Sequence, residues 1–128
     1  MSDIRKHRGA FCEKCKVSSG VIQIEKFLDK NNISYTREYS FDDCLHKRKL
    51  RFDFYLPDFN MCIEYDGEQH FKPTRFGSMT QEQAEQGFVR TQQNDTIKNE
   101  YCRKNNIKLI RIPYTDFKYI HTILKEQL

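Results

Sequence analysis

The sequence lacks the long apolar run that a membrane protein needs. No stretch of its 128 residues approaches the roughly 18 consecutive apolar residues of a membrane-spanning helix. No signal-peptide pattern opens the chain, and no internal repeat is visible. We therefore expect an intracellular protein without a membrane partner, in the cytoplasm of a cell or of a host, with the nucleus also open to it.

Cysteines are few, and their number is odd. The five lie at positions 12, 15, 44, 62 and 102, which does not suit a disulfide framework and favours a reducing compartment. Cys12 and Cys15 form one C-x-x-C pair, which is half of a tetrahedral zinc site. Cys44 and His46 could complete it. Zn²⁺ is thus one candidate cofactor, and a flexible basic leader with free thiols is the alternative.

The composition is that of an ordinary globular domain. Hydrophobic residues make up 38 % of the chain and charged residues 31 %, which fits one domain with a modest core. The aromatic residues are 10 Phe and 7 Tyr, enough to fill such a core with few side chains. The net charge of +4 is mild and does not by itself predict a nucleic-acid partner.

The pattern of apolar residues and turn formers predicts an α/β domain over residues 19–128. Residues 1–18 are polar and basic and are predicted to form an arm or a partial zinc-ribbon remnant. The order is predicted as helix, three strands, helix, strand, helix. The predicted elements are a helix at 19–31, strands at 34–41, 50–56 and 60–66, a helix at 92–105, a strand at 107–112 and a helix from residue 116. Polar connections are expected at 41–49 and 72–91, and the second has room for a short helix of its own.

The second and third predicted strands carry acidic residues on one face. Side chains alternate along a strand, so Phe52 and Phe54 are expected on one face and Asp53 on the other. In the next strand Glu64 and Asp66 share a face. A short turn makes the strands antiparallel neighbours, and Asp53 and Glu64 could then meet. Adjacent carboxylates repel unless a cation such as Mg²⁺ lies between them. Solvent-facing acids on a half-exposed sheet are the alternative.

Three further residues are candidates for the same site. His70 follows the glycine turn at Gly67 and is predicted either to transfer protons or to cap the turn. Glu25 falls within the apolar stripe of the first helix, where a carboxylate needs a partner, although a polar helix edge would also explain it. Asp95 is predicted near the start of the second long helix, where the helix dipole alone also favours an acid.

Basic residues flank these acids on both sides. Such a set predicts salt-dependent contacts with nucleic-acid phosphates, and a solvated charged turn is the alternative. The residues are Lys47, Arg48, Lys49 and Arg51 before the acids, and Lys72 and Arg75 after them.

The segment LRFDFYLPDFNMCIEYDGEQHF resembles the core motif of the PD-(D/E)XK nuclease superfamily, in its very-short-patch-repair (Vsr-like) branch. That branch includes phage-type homing endonucleases with a Glu-Asp-x-His-Asp signature. The segments KFLDKNNISY and NDTIKNEYCRKNNIKLIRIPY also resemble it, so that the similarity covers about residues 19–128. The residues before it resemble the tail of a zinc-ribbon module, although only one C-x-x-C pair is present.

The resemblance implies a fold and a function. The fold would be a restriction-endonuclease-like core, in which helices flank a mixed four-stranded sheet. The function would be that of a Mg²⁺- or Mn²⁺-dependent DNA endonuclease that hydrolyses phosphodiester bonds with a metal-activated water. The sequence leaves the oligomeric state open, with a homodimer as one alternative. A mismatch- or structure-specific nickase and a non-catalytic DNA-binding module are the alternatives.

Carried over to this chain, the signature falls on Glu25, Asp53, His70 and Asp95. Asp53 and Glu64 would hold the metal. The parent motif has a lysine two residues after its second acid, and this chain has Asp66 there. The resemblance therefore implies either that Asp66 serves the metal or that His70 takes the role of the lysine.

Overall fold

A four-stranded mixed sheet forms the centre of the computed structural model, which describes residues 18–75 and 77–128. The element order is the predicted one, with two added 3₁₀ turns at Glu68–His70 and Tyr114–Tyr119. The helices and strands are α1 Ser19–Lys30, β1 Thr36–His46, β2 Arg48–Leu56, β3 Met61–Asp66, α2 Gln81–Lys104, β4 Lys108–Pro113 and α3 Ile120–Gln127.

The strands lie side by side in the order β1-β2-β3-β4. β1, β2 and β3 form an antiparallel meander, and β4 pairs parallel to β3. A parallel pair needs a crossover connection, and α2 provides it. The predicted mixed four-stranded sheet with flanking helices is confirmed. Among the described residues, no helix combines the length and the apolar character that crossing a membrane would require.

The two faces of the sheet bury separate clusters. The first cluster packs α1 and α3 against residues such as Phe54 and Ile63. The second cluster packs α2 against residues that include Phe52 and Cys62. Successive residues of β3, Cys62 and Ile63, belong to different clusters, as expected of a strand with both faces covered. Ser18 caps α1, because its hydroxyl accepts a hydrogen bond from the backbone of Val21.

The prediction of a polar connection at 41–49 is wrong. β1 continues through it to His46, and β2 begins at Arg48. Cys44, which lies within this polar stretch, is buried in the second cluster, and that burial outweighs the polarity of its neighbours. The chain reverses at Lys47, whose φ of 72° belongs to the left-handed region. The basic segment is therefore the tip of a hairpin.

The second half of the connection predicted at 72–91 is also wrong. α2 starts at Gln81, eleven residues before the predicted start at 92. A capping box starts the helix there: the Thr80 side chain accepts from the backbone of Gln83, and the Gln83 side chain accepts from the backbone of Thr80. Gly87 does not interrupt the helix, because the cost of one glycine is about 1 kcal/mol.

The strict alternation predicted along β2 fails at Asp53. Phe52 packs in the second cluster and Phe54 in the first, so that these two residues do not share a face. On the paired strand, Glu38 has a φ of 50° and lies between the residues that pair with Phe52 and Phe54. An irregularity of this kind re-aims side chains. Asp53 therefore lies at the point where the buried side chains of β2 switch from one face of the sheet to the other.

The two helical glycines should respond oppositely to alanine. A Cβ on Gly20 would overlap the ring of Tyr65, whereas a Cβ on Gly87 would lie 3.7 Å from its nearest neighbour, Arg90. We expect Gly20→Ala to lower the free energy of unfolding by about 1–3 kcal/mol through overpacking. Gly87→Ala should raise it by about 0.5–1 kcal/mol through helix propensity. Urea unfolding measures both. Equal stability of Gly20→Ala and the original chain would contradict this packing.

Candidate active site

Asp53 and Glu64 come from neighbouring antiparallel strands and lie close enough for their charges to interact. The side chain of Asp53 is directed at the backbone of β3, where Oδ2 accepts a hydrogen bond of 2.7 Å from the Tyr65 amide. Glu64 is only 3 % exposed. The prediction that strand pairing brings these two acids together is supported by this arrangement. The alternative of solvent-facing acids does not hold for Glu64.

Burial makes both carboxylates unusually easy to protonate. The pKa of Glu64 is raised to about 7, mainly by burial and then by the charge of Asp53, while the nearby ammonium of Lys98 opposes the increase. Burial also raises the pKa of Asp53, and the Tyr65 amide, Lys98 and Arg37 oppose that increase. A pair of buried like charges is costly in the absence of a compensating cation.

Lys98 is a functional candidate that sequence reasoning missed. Its ammonium Nζ lies 2.9 Å from Oε2 of Glu64 and 5.3 Å from the centroid of the Phe52 ring. The side chain is 12 % exposed. Helical spacing offered a signal, because Asp95, Lys98 and Cys102 recur at three- and four-residue intervals and so share one face of α2. An ammonium group therefore lies beside the acids, and it comes from α2 rather than from β3.

A second charged group forms where β3 ends. His70 Nδ1 lies 2.9 Å from Asp95 Oδ2 and 3.6 Å from Asp66 Oδ1. Arg111 Nη1 donates to both carboxylate oxygens of Asp66, at 2.9 and 3.1 Å, and Nη2 lies 3.5 Å from Oδ1 of Asp95. The structure thus brings together three predicted site residues with one arginine that was not predicted. Asp66 is engaged by Arg111.

The environment of His70 favours its protonated form. Burial alone would lower the pKa of His70, but the hydrogen bond to Asp95 and the charges of Asp66, Asp95 and Glu64 raise it overall. With Nδ1 directed at Asp95, Nε2 is the ring nitrogen left for another partner. The sharp glycine turn predicted at Gly67 is not present, since its φ of −75° suits any residue. The 3₁₀ turn at Glu68–His70 places the imidazole instead.

Glu25 reaches the acids through an arginine rather than directly. Arg37 Nη1 lies 3.5 Å from Glu25 Oε2, and Arg37 Nε donates to the backbone carbonyl of Asp53 at 3.3 Å. The Arg37 side chain is 8 % exposed and stacks on Phe54 at 5.1 Å. Glu25 therefore has the inward partner that its place in the apolar stripe suggested, and that partner holds the backbone of Asp53.

The helix-dipole explanation of Asp95 is wrong. Because α2 starts at Gln81, Asp95 lies in the second half of the helix, far from the N-terminal turn where the dipole favours an acid. Its side chain instead contacts His70 and Arg111. Asp95 thus lies beside His70 and Arg111, and its functional role stays a prediction.

The predicted basic residues separate into two sets. Lys47, Arg48, Lys49 and Arg51 lie along one groove beside α2. The residues after the acids do not join them: Lys72 forms a 2.7 Å ion pair with Glu68, and Arg75 donates to the carbonyl of Met79.

The zinc hypothesis depends mainly on residues outside the described ranges. Cys12 and Cys15 lie there. Cys44 is buried in the second cluster, and His46 Nδ1 is hydrogen-bonded to Asn94 at 3.0 Å. Within residues 18–75 and 77–128, no group of three or more His, Cys, Asp or Glu side chains is placed to hold a metal ion.

Comparison with known proteins finds viral relatives. Over 79 residues the chain is 35 % identical to "Uncharacterized protein 307L" of Invertebrate iridescent virus 6, an alignment that covers 62 % of this chain and 38 % of that protein. Over 68 residues it is 34 % identical to "Uncharacterized protein 094L" of Frog virus 3, covering 53 % of this chain and 42 % of the relative.

A third relative, "Uncharacterized protein 033L" of Invertebrate iridescent virus 3, is 32 % identical over 66 residues, which are 52 % of this chain and 32 % of the relative. The chain therefore spans less than half the length of these relatives, and their names state no activity. No family model and no solved structure matches the chain.

The raised pKa of Glu64 predicts a specific pH dependence of stability. A folded-state pKa of about 7 against an ordinary 4.5 means that the folded protein binds this proton more tightly. Protonation of Glu64 therefore stabilises the folded state by about 3 kcal/mol at most. This contribution is fully present below about pH 4.5 and is lost as the pH rises through about 7. Asp53 and His70, whose pKa values are also raised, act in the same direction.

Urea unfolding in the presence of a chelator, between about pH 4.5 and 8, tests this. Glu64→Gln should lose less stability than the original chain over that range. Glu68→Gln, which changes an exposed glutamate four residues later in the chain, is the control. Its stability should depend on pH in the same way as that of the original chain. If the free energies of unfolding of the original chain and of Glu64→Gln change with pH in parallel, Glu64 does not carry the shifted pKa.

Proposed function

We propose that this protein is a metal-dependent endonuclease that hydrolyses phosphodiester bonds in DNA. The observation that carries the proposal is the like-charged pair of the half-buried Asp53 and the buried Glu64, next to the hydrogen-bonded couple of His70 and Asp95. Carboxylates with raised pKa values beside a histidine are typical of catalytic sites. The resemblance of residues 50–71 to the PD-(D/E)XK core motif supports the same chemistry.

Asp53 and Glu64 fit a hard divalent cation and would hold it. Mg²⁺ is commonly bound through one or two carboxylates and keeps several waters, so two acids suffice as protein ligands. Burial and mutual repulsion destabilise the ionised form of this pair, and a cation would relieve both effects. Bound Mg²⁺ or Mn²⁺ supplies a Lewis acid that polarises a phosphate and lowers the pKa of water.

Lys98 would keep Glu64 ionised and correctly oriented. Its ammonium donates to Glu64 and lowers the pKa of that carboxyl against the effect of burial. This contribution comes from α2 and would replace the lysine that the resembled motif places on the strand. Asp66, which contacts Arg111, is then not needed as a ligand.

His70 would transfer protons through Nε2. Asp95 accepts from Nδ1 and fixes the orientation of the ring, in the way that a carboxylate orients a catalytic imidazole. Arg111 contacts both Asp66 and Asp95 and so keeps the two acids around His70 in place.

Arg37 and Glu25 would position Asp53. Arg37 bonds the carbonyl of Asp53 at the point where β2 changes faces, and Glu25 holds the guanidinium from α1. Glu25 would thus contribute to the site by fixing the direction of the Asp53 side chain. This role differs from direct metal binding and agrees with the contacts that Glu25 makes.

Supercoiled plasmid with Mg²⁺ tests the proposed activity. We expect the protein to convert plasmid to open-circular or linear form, and Asp53→Ala to reduce the rate by on the order of 10³-fold, because it removes a metal ligand. Asp58→Ala, which removes an exposed acid from the β2–β3 turn, is the matched control and should cut normally. Open-circular product would favour the nickase, and linear product a double-strand cutter.

Two results would contradict this assignment. If Asp53→Ala cuts as fast as the original chain, Asp53 does not hold an essential metal. If the original chain binds plasmid in chelator but never cuts it with Mg²⁺ or Mn²⁺, the protein is a non-catalytic DNA-binding module. The ion pair between Lys98 and Glu64 is the observation that favours this second candidate, since it neutralises one acid without any metal.

His70→Ala should slow cleavage by about 10²- to 10⁴-fold, the usual scale of general acid–base catalysis. Plasmid binding in chelator should be retained, because His70 is assigned to proton transfer rather than to binding. His121→Ala, which removes an exposed histidine from α3, should cut at the original rate. Circular dichroism confirms that each variant is folded. A folded His70→Ala protein that cuts at full speed would show that His70 only supports the turn.

A further inference from the structure

A basic groove of about 600 Å³ runs between the β1–β2 hairpin and α2. One wall is the hairpin tip around Lys47, and the other is the middle of α2 around Arg90 and Asn94. A hydrogen bond of 3.0 Å between His46 and Asn94 joins the two walls. The groove is therefore formed by two elements that are fixed to each other, which a flexible charged turn would not provide.

The charged residues that line the groove are all cations. They are Lys47, Arg48, Lys49, Arg51, Arg90 and Lys98. Exposed acids outside the groove pair with two of them, Asp42 with Lys49 and Glu38 with Arg51. Within the described part of the chain, Lys47, Arg48 and Arg90 form no ion pair. Such cations remain available for an anionic partner.

Lys98 connects this groove to the candidate active site. Its side chain lines the groove, and its ammonium contacts Glu64 at 2.9 Å. An anion that occupies the groove therefore lies next to the acid pair. The groove is thus suited to position a chain of phosphates with one of them beside Asp53 and Glu64.

The chemistry of the lining favours one kind of nucleic acid. Proteins that hold unpaired strands combine a basic groove with aromatic rings on which bases stack. The described lining contains cations, two amides, a histidine and a leucine, but no Phe, Tyr or Trp. The exposed rings of Phe71 and Tyr114 contact each other elsewhere. Contacts of the groove would go to phosphates and leave the bases paired.

We propose that this groove binds the phosphate backbone of double-stranded DNA and that Arg90 on α2 is one of its principal phosphate contacts. The proposal rests on the proposed endonuclease function and specifies its substrate as duplex. The contacts are independent of base sequence, because phosphates carry no sequence information directly. Arg90 belongs to the part of α2 that was predicted to be a loop, which is why sequence reasoning did not find it.

Fluorescence anisotropy with a labelled duplex of about 20 base pairs, in chelator and over a series of salt concentrations, tests the groove apart from cleavage. Arg90→Ala should bind the duplex roughly tenfold more weakly at low salt. It should also reduce the salt slope, which is the slope of the logarithm of the binding constant against the logarithm of the salt concentration, by about one. Arg103→Ala, which removes an exposed arginine from the same helix outside the groove, is the matched control. Replacing Lys47, Arg48 and Lys49 together should reduce the slope by about two to three.

Three results would overturn the proposal. The first is a loss of duplex affinity in Arg90→Ala that is no larger than the loss in Arg103→Ala, while both variants keep the unfolding midpoint of the original chain. The second is tighter binding of the corresponding single strand than of the duplex. The third is displacement of the duplex by polyglutamate at equal charge concentration, which would make the groove a general site for anions. Duplex binding that depends on Arg90 without any cleavage in Mg²⁺ would support the groove and reject the endonuclease instead.

Discussion

The structure depends on the compensation of two neighbouring carboxylates, the buried Glu64 and the half-buried Asp53, which lie between strands and a helix. Asp53 and Glu64 repel each other in a region of low dielectric, where the interaction of charges is strong. Lys98 supplies the compensating charge, and only a helix that crosses this face of the sheet can bring it there. The parallel pairing of β3 and β4, which requires that crossover, therefore also places the cation. The charged site and the topology are linked.

The order of elements was predictable because it follows from local patterns. Ser18 and the apolar spacing of α1 identify that helix, and the proline turn after Leu56 separates two strands. The bend at Asp53 was not predictable in the same way. It depends on the left-handed conformation of Glu38 in the neighbouring strand, and nothing local to Phe52 or Phe54 requires these two rings to pack on opposite faces.

The part of the site that strand geometry predicted consists of residues that are close in sequence. Strand alternation and a short turn were enough to place Asp53 near Glu64, and His70 emerged beside them. The cations that balance these acids come from distant positions: Lys98 is 34 residues from Glu64, and Arg111 is 45 residues from Asp66. A long-range ion pair leaves no periodic trace in the sequence. Helical spacing could identify Lys98 as a neighbour of Asp95, but the strand that it faces is fixed only by the fold.

Arg111 and Lys98, which both contact acids of the site, have different physical characters. Arg111 contacts both oxygens of Asp66 and also Asp95, and a guanidinium does not lose its proton in proteins. Arg111 therefore stays charged beside the acids around His70, and the imidazole is the member of this group that can exchange protons near neutrality. Lys98 makes a single contact with Glu64 through a flexible stem. In the proposed function, this contact keeps Glu64 ionised and oriented. The site thus combines a guanidinium that contacts two acids with an ammonium that contacts one.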